Sequence, residues 1–137
     1  MIKTTINDCK VIKLNTILRP EGRLTIVEEH KDVPFGISRI YYIHDIPDSS
    51  ERGHHAHKSL KQLMIAISGS FQVLLNDGKD IRMILLDNPE EGLLIVPGIW
   101  RTLGNFKAGS VCLVLASSLY SEEDYIRNYD DYLKYKK

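Results

Sequence analysis

Arg52-Gly53-His54-His55-Ala56-His57-Lys58, with Gln62 and Ser68-Gly69-Ser70 behind it, is the stretch on which the fold of this chain is decided. Residues two apart on a strand point to the same face, so His55 and His57 stand side by side and His54 points away. Imidazole is the only side chain whose unperturbed charge change falls near neutral pH. A pair on one face therefore indicates a metal site or proton transfer. On the next strand Gln62, Met64, Ala66 and Ser68 share a face, so Gln62 can point where the histidines point. Upstream, alternation over 37–43 sets Ile37, Arg39, Tyr41 and Ile43 against Ile40 and Tyr42. An arginine and a tyrosine among isoleucines are costly on a buried face unless paired. Either that face lines a pocket for an anionic or hydroxylated ligand, or Arg39 faces solvent.

The same alternation extends in both directions. Strand-like runs are expected at 10–14, 23–28, 37–43, 62–68, 71–75, 80–86, 93–96 and 111–116, in addition to the histidine strand. They are separated by turn residues such as Arg19-Pro20-Glu21-Gly22, Val33-Pro34-Phe35-Gly36, Pro47-Asp48-Ser49-Ser50 and the hairpin signal Asn76-Asp77-Gly78. So many short runs predict an all-β antiparallel sandwich or barrel. The tail differs. Ser121 with Asp124 resembles a capping box, and Tyr125, Ile126, Tyr129, Tyr132 and Leu133 recur at helical spacing with lysines at the end. A helix over about 121–135 is expected, with its aromatic stripe packed on the sandwich or a partner subunit.

Composition bounds the partners. The 137 residues suit one domain, 1–137, with a real core. Eighteen basic and eighteen acidic residues cancel, leaving no footprint for nucleic acid and no basic face for a membrane. Met1-Ile2-Lys3-Thr4-Thr5 lacks the apolar run of a signal peptide, and no apolar run is long enough to span a bilayer. Cys9 and Cys112 belong to no motif and read as free buried thiols in a reducing compartment. A soluble, cytoplasmic protein is expected.

Gly53, His55-x-His57, Gln62 and Gly69 follow the spacing of the first cupin motif; Gly92, Pro97-Gly98-Ile99-Trp100-Arg101 and Asn105 resemble the second. In metal-binding cupins a glutamate and a third histidine would stand where this chain has Gln62 and Arg101. A neutral amide is a poor ligand for a transition metal, and a guanidinium cannot be one. A fixed positive charge there repels a cation and attracts a phosphate or a developing enolate. Metal-free chemistry without a cofactor is expected on this scaffold.

Arg39-Ile40-Tyr41-Tyr42-Ile43, the block Arg52 to Lys58, Pro97-Gly98-Ile99-Trp100 and the tail Asp124-Tyr125-Ile126-Arg127-Asn128-Tyr129-Asp130 resemble the TDP-4-keto-6-deoxyglucose 3,4-ketoisomerases. The resemblance covers nearly the whole chain. It implies a cupin-type jelly roll, a homodimer with exchanged N-terminal strands, and a TDP-linked sugar whose ketone moves from C4 to C3 ahead of amination at C3. On that resemblance His57 is expected as the carbon base and His55 as the group serving the oxygens. Tyr41 would orient His57 or donate to an oxygen, and Arg39, Arg52, Arg101 and Gln62 would bind the substrate. Relatives with a gluco product carry Tyr before the early-turn glycine and Arg after Pro-x-x-Trp; galacto types carry Arg and His. This chain has Glu21, which matches neither, and Arg101, which matches the gluco type. The rivals are a nucleotide-sugar 3,5-epimerase, disfavoured because no aspartate partner for a histidine is evident, a non-catalytic sugar-binding cupin, and a metal-dependent cupin with altered ligands.

Overall fold

The computed structural model describes residues 3–137; the parts of the N-terminal reading that fall on Met1 and Ile2 lie outside them. In chain order the strands are β1 (Lys10–Lys13), β2 (Asn15–Arg19), β3 (Gly22–Ile26), β4 (Arg39–Ile43), β5 (Arg52–His57), β6 (Gln62–Ser68), β7 (Phe71–Asn76), β8 (Ile81–Leu86), β9 (Glu91–Ile95), β10 (Trp100–Gly104), β11 (Val111–Ala116) and β12 (Tyr125–Ile126), followed by the helix α1 (Tyr129–Lys136). Two five-stranded sheets, β1-β9-β6-β11-β4 and β12-β5-β10-β7-β8, stand beside a separate β2-β3 hairpin. Every strand pairing is antiparallel.

The core follows from period-two alternation. Met64 and Ala66 of β6, Phe71, Val73 and Leu75 of β7, and Cys112 and Val114 of β11 share one cluster. Each fully buried Phe or Leu removed from water contributes roughly 1.5–3 kcal/mol. The opposite face of the first sheet is also covered, because Leu63, Ile65 and Leu115 pack with Leu14, Val33 and Phe35. That second layer explains why Gln62-Leu63-Met64-Ile65-Ala66 is buried without a break, as a strand with both faces covered must be. Both cysteines are buried and free.

β6 and β11 have the limits expected from the sequence. β2, β10 and β12 were not anticipated. In β10 Trp100 and Arg101 are both buried, so no apolar/polar alternation marks the strand.

The tail departs from expectation. There is no helix over 121–135. Glu122–Asp124 is a short 3-10 turn, Tyr125–Ile126 is extended and pairs with β5, and the helix begins at Tyr129. The physical reason lies in the side chains. Ser121 makes no capping bond, and the Asp124 carboxylate is engaged by the turn after β5. Asn128 is the true cap, accepting from Asp131 N–H. Tyr132 then turns inward against Trp100 and Ile126. Its hydroxyl lies 2.7 Å from the Gly98 carbonyl and 3.0 Å from that of Asn76, which share its one proton. The phenol thus ties α1 to the second sheet. Tyr132→Phe is expected to lower stability by roughly 1–2 kcal/mol in urea unfolding.

Candidate active site

The site is built from the middle of β5 outward. Arg101 of β10 lies opposite His55 and Thr102 opposite Gly53, which leaves His54 as the extra residue of a β-bulge. Gly53 and His54 both have positive φ, +92° and +58°. A Cβ on Gly53 would meet the Arg101 carbonyl oxygen at 2.9 Å, so only glycine fits. The bulge leaves His54 exposed at the rim, 3.3 Å from Glu51, and sends His55 and His57 inward together. Their rings meet edge to face with centroids 4.8 Å apart.

The two imidazoles differ in depth. His55 lines a cavity of about 590 Å³. Its Nδ1 is 3.1 Å from the Gly53 carbonyl, which can only accept, so Nδ1 holds the proton and Nε2 is left as a base. His57 is 1% exposed and is not among the residues that line the cavity. Its Nδ1 is 3.0 Å from Asp124 Oδ2, and its Nε2 is buried without a partner.

Arg101, Gln62 and Tyr41 form the floor. The Gln62 amide donates to the Tyr41 hydroxyl at 3.0 Å and accepts a short bond from Arg101 Nη1. Tyr41 is therefore bonded to Gln62 and not to His57. Arg101 is 1% exposed, and its other contacts are to the Ile99 carbonyl at 3.3 Å. Among the described residues no carboxylate pairs with it. Its charge sets the chemistry around it. Burial, and next the Arg101 guanidinium, lower His55 from its ordinary 6.5 to about 4, against the pull of the Gly53 carbonyl. Burial, then Arg101, then His55 lower His57 as well. Burial pushes Tyr41 up, so the phenol keeps its proton.

The remaining expected residues also converge. Arg39 lines the wall, 5.2 Å from the Tyr41 ring and 5.6 Å from the Tyr120 ring, with a buried Nε that has no partner. The exposed Ile40 and Tyr42 lie on the other side of β4, as alternation requires. Arg52 stands exposed at the mouth, and Ile43, Met64 and Leu103 supply an apolar patch. Glu21 lies at the tip of the β2-β3 hairpin and does not line the cavity. No group of three or more His, Cys, Asp or Glu side chains able to hold a metal is found among the described residues.

Three residues were missed. Tyr125 packs on both histidines, with centroids 4.9 and 4.4 Å away, and Arg127 stacks on Tyr125 at 4.1 Å while bonding Glu122. Asp124 is the aspartate partner whose apparent lack disfavoured an epimerase; that ground is removed. The signal was present in the tail, but helical spacing concealed it.

A two-sheet cupin-type sandwich with neutral histidines beside a buried arginine defines an acid–base isomerase site. The chain belongs to the family described as "FdtA: WxcM-like, C-terminal", which matches residues 7–137. It is 44% identical over 126 residues to the TDP-4-oxo-6-deoxy-alpha-D-glucose-3,4-oxoisomerase of Aneurinibacillus thermoaerophilus, covering 92% of this chain and 91% of that one. The WlaRB TDP-quinovose 3,4-ketoisomerase of Campylobacter jejuni superimposes with a TM-score of 0.91 at 46% identity, over 94% of this chain and 99% of that one. QdtA, a sugar 3,4-ketoisomerase from Thermoanaerobacterium thermosaccharolyticum solved with TDP, gives 0.94 at 40% identity over 96% of each chain.

Two measurements test this electrostatic picture. A neutral imidazole with a lowered value is fully in its base form at neutral pH, so turnover should be flat from about pH 6 to 8 and fall only as the pH approaches about 4. The unfolded chain takes up histidine protons below about pH 6.5, where the native state does not. Stability is therefore complete above that value and declines as pH falls below it, and His55→Asn should weaken this dependence in a series of melting curves. Separately, Gly53→Ala should cost roughly 1–3 kcal/mol by urea unfolding, because it strains a positive-φ position and forces the Arg101 backbone away.

Proposed function

We propose that this protein is a TDP-sugar 3,4-ketoisomerase that converts TDP-4-keto-6-deoxyglucose into the 3-keto isomer without a metal ion. The observation that carries this reading is the pairing of a cavity-facing neutral base, His55, with a fully buried arginine that has no carboxylate. That combination suits a reaction in which a carbon proton leaves and negative charge appears on oxygen.

The proton balance is simple. A base removes the C3 proton, giving an enediolate with charge on O4. O4 gains a proton, O3 loses one, and a proton returns to C4, so C3 becomes the ketone and C4 the carbinol. C3 and C4 are adjacent, so one base can serve both. We assign that role to His55, whose Nε2 is free on the cavity wall, and the oxygen-bound protons to Tyr41, which also lines the cavity; His57, in ring contact with His55, is the second imidazole of the pair and supports it. The carbon base is thus His55 and not the His57 expected from the sequence, and the support is the depth of the two rings. General acid–base assistance of this kind is worth about 10²–10⁴-fold. Tyr41 keeps its proton and can donate to O4, and Arg101 stabilises the enediolate. Arg39 and Arg52 suit the diphosphate, Gln62 holds Tyr41 and Arg101 in register, and Ile43, Met64 and Leu103 suit the C6 methyl of a deoxysugar.

Three finer assignments belong to the same reading. The gluco product is favoured by Arg101 and by likeness to a protein named for TDP-quinovose, a gluco sugar. A homodimer with exchanged N-terminal strands is supported by the β2-β3 hairpin. The hairpin joins neither large sheet and exposes Leu18 (61%) and Leu24 (59%), while Ile40 and Tyr42 lie bare on β4. One cupin domain, 1–137, in a cytoplasmic setting suits the extent of the family match and the two free thiols. Among the described residues no helix is long and apolar enough to cross a membrane.

The test is proton NMR of TDP-4-keto-6-deoxyglucose in D₂O with chelator-treated protein. A 3-keto product with deuterium at C4 is expected, and the H4–H5 coupling of a parallel H₂O run should report the gluco configuration. Exchange at C3 and C5 with the ketone still at C4 would mean an epimerase. His55→Asn should retain TDP binding and lose turnover by at least about 10²-fold.

A further inference from the structure

We infer that Asp124 is a positioning residue for His57, and that its carboxylate dictates which nitrogen of that ring is the base. A carboxylate only accepts, so its bond to Nδ1 at 3.0 Å keeps the proton there and leaves the lone pair on Nε2. Nothing else fixes this choice, because Nε2 is buried and unpartnered. In this His57 parallels His55, whose tautomer is set by a backbone carbonyl.

The carboxylate is itself held on every side. Oδ1 accepts from Ser59 N–H at 2.8 Å and Oδ2 from Leu60 N–H at 3.3 Å. The Asp124 carbonyl accepts from Lys58 N–H at 2.9 Å, and the next two residues pair with His57 and Ala56. Asp124 therefore joins the C-terminal tail to the strand that holds both histidines, and it does so through the group that sets His57. Tyr125, which follows immediately, packs on both rings. The tail is part of the acid–base apparatus and not only a covering. The positive groups around His57 are Arg101, Arg39 and Arg127, with His55 beside it; among the described residues Asp124 is the one carboxylate in hydrogen-bond contact with the ring.

The turnover arm of the test rests on the ketoisomerase reading; the tautomer arm does not. The protein is labelled with ¹⁵N-histidine, and two-bond proton–nitrogen correlations are recorded at neutral pH, with the His57 signals assigned by their loss in His57→Asn. In the unsubstituted protein His57 should show a protonated Nδ1 and an unprotonated Nε2. In Asp124→Asn the amide can donate to Nδ1, and the pattern should invert. That variant should lose kcat by about 10²–10⁴-fold while its KM and TDP affinity change little, and Asp124→Glu should recover part of kcat. A His57 found protonated at Nε2 in the unsubstituted protein overturns the inference, and this spectrum decides even if Asp124→Asn fails to fold. So does an uninverted tautomer in a folded Asp124→Asn, or a loss of turnover matched by loss of TDP affinity. An unsubstituted protein that shows the expected tautomer but does not convert the sugar would instead count against the ketoisomerase reading alone.

Discussion

A guanidinium buried without a carboxylate is the constraint around which the rest of this molecule is arranged. Removing a charge from water is expensive, and replacing a buried ion pair by apolar groups is often stabilising. Among the described residues Arg101 does not even have a pair: it has a neutral amide and a backbone carbonyl. Stability alone would not retain such a group. Its presence makes sense if an anion visits the cavity, because a positive charge that is dry and held in place interacts strongly with charge that develops there and needs no reorganisation when it does. Burial first, and then the same charge, lower both histidines and leave them ready to accept protons. On the ketoisomerase reading one residue thus serves both halves of the reaction, the departure of a proton and the charge it leaves behind.

The scaffold supplies the geometry by bringing strands from both sheets to one cavity. Tyr41 and Gln62 come from β4 and β6 of the first sheet, His55 and Arg101 from β5 and β10 of the second. Groups held on paired strands are fixed more closely than groups on loops would be. The β5 bulge is the irregularity that the site needs. A bulge adds a residue and bends its strand, which separates His54 from the inward pair and aims His55 at the cavity. The tail then closes the site from the side, with Tyr125 against the two rings.

Much of this was legible in the sequence where a residue's environment follows from its strand parity. The partition of Arg39 and Tyr41 from Ile40 and Tyr42, the shared face of His55 and His57, and the inward direction of Gln62 all follow from period two. The expectation that Gln62 and Arg101 stand where metal-binding cupins carry ligands rested on motif resemblance, and only their unsuitability as ligands on residue chemistry. What escaped was set by tertiary pairing. β10 lacked a pattern because its arginine is buried. The tail read as a helix because Tyr125, Ile126, Tyr129 and Tyr132 fit a helical period, whereas β5 offered an edge for Tyr125 and Ile126 and a set of donors for Asp124. The relative depth of His55 and His57 was not encoded in their spacing either; it depends on what packs in front of each.

The Asp124–His57 pair also changes how the ketoisomerase and epimerase readings are to be told apart. An aspartate behind a histidine orients a base, and both reactions begin with a base that takes a proton next to a ketone. They diverge afterwards. Inversion of a ring carbon requires an acid on the opposite face of that carbon. Migration of the ketone requires protons to move between neighbouring oxygens. Here the polar groups beside the histidines form one connected run, Tyr41 to Gln62 to Arg101, with a protonated phenol at one end and a fixed cation at the other. A phenol can exchange a proton with an oxygen, and a cation can stabilise the charge between one transfer and the next. Such a run matches the path of charge from one oxygen to its neighbour along the enediolate, so it is this network, more than the histidine–aspartate pair, that suits the site to ketone migration.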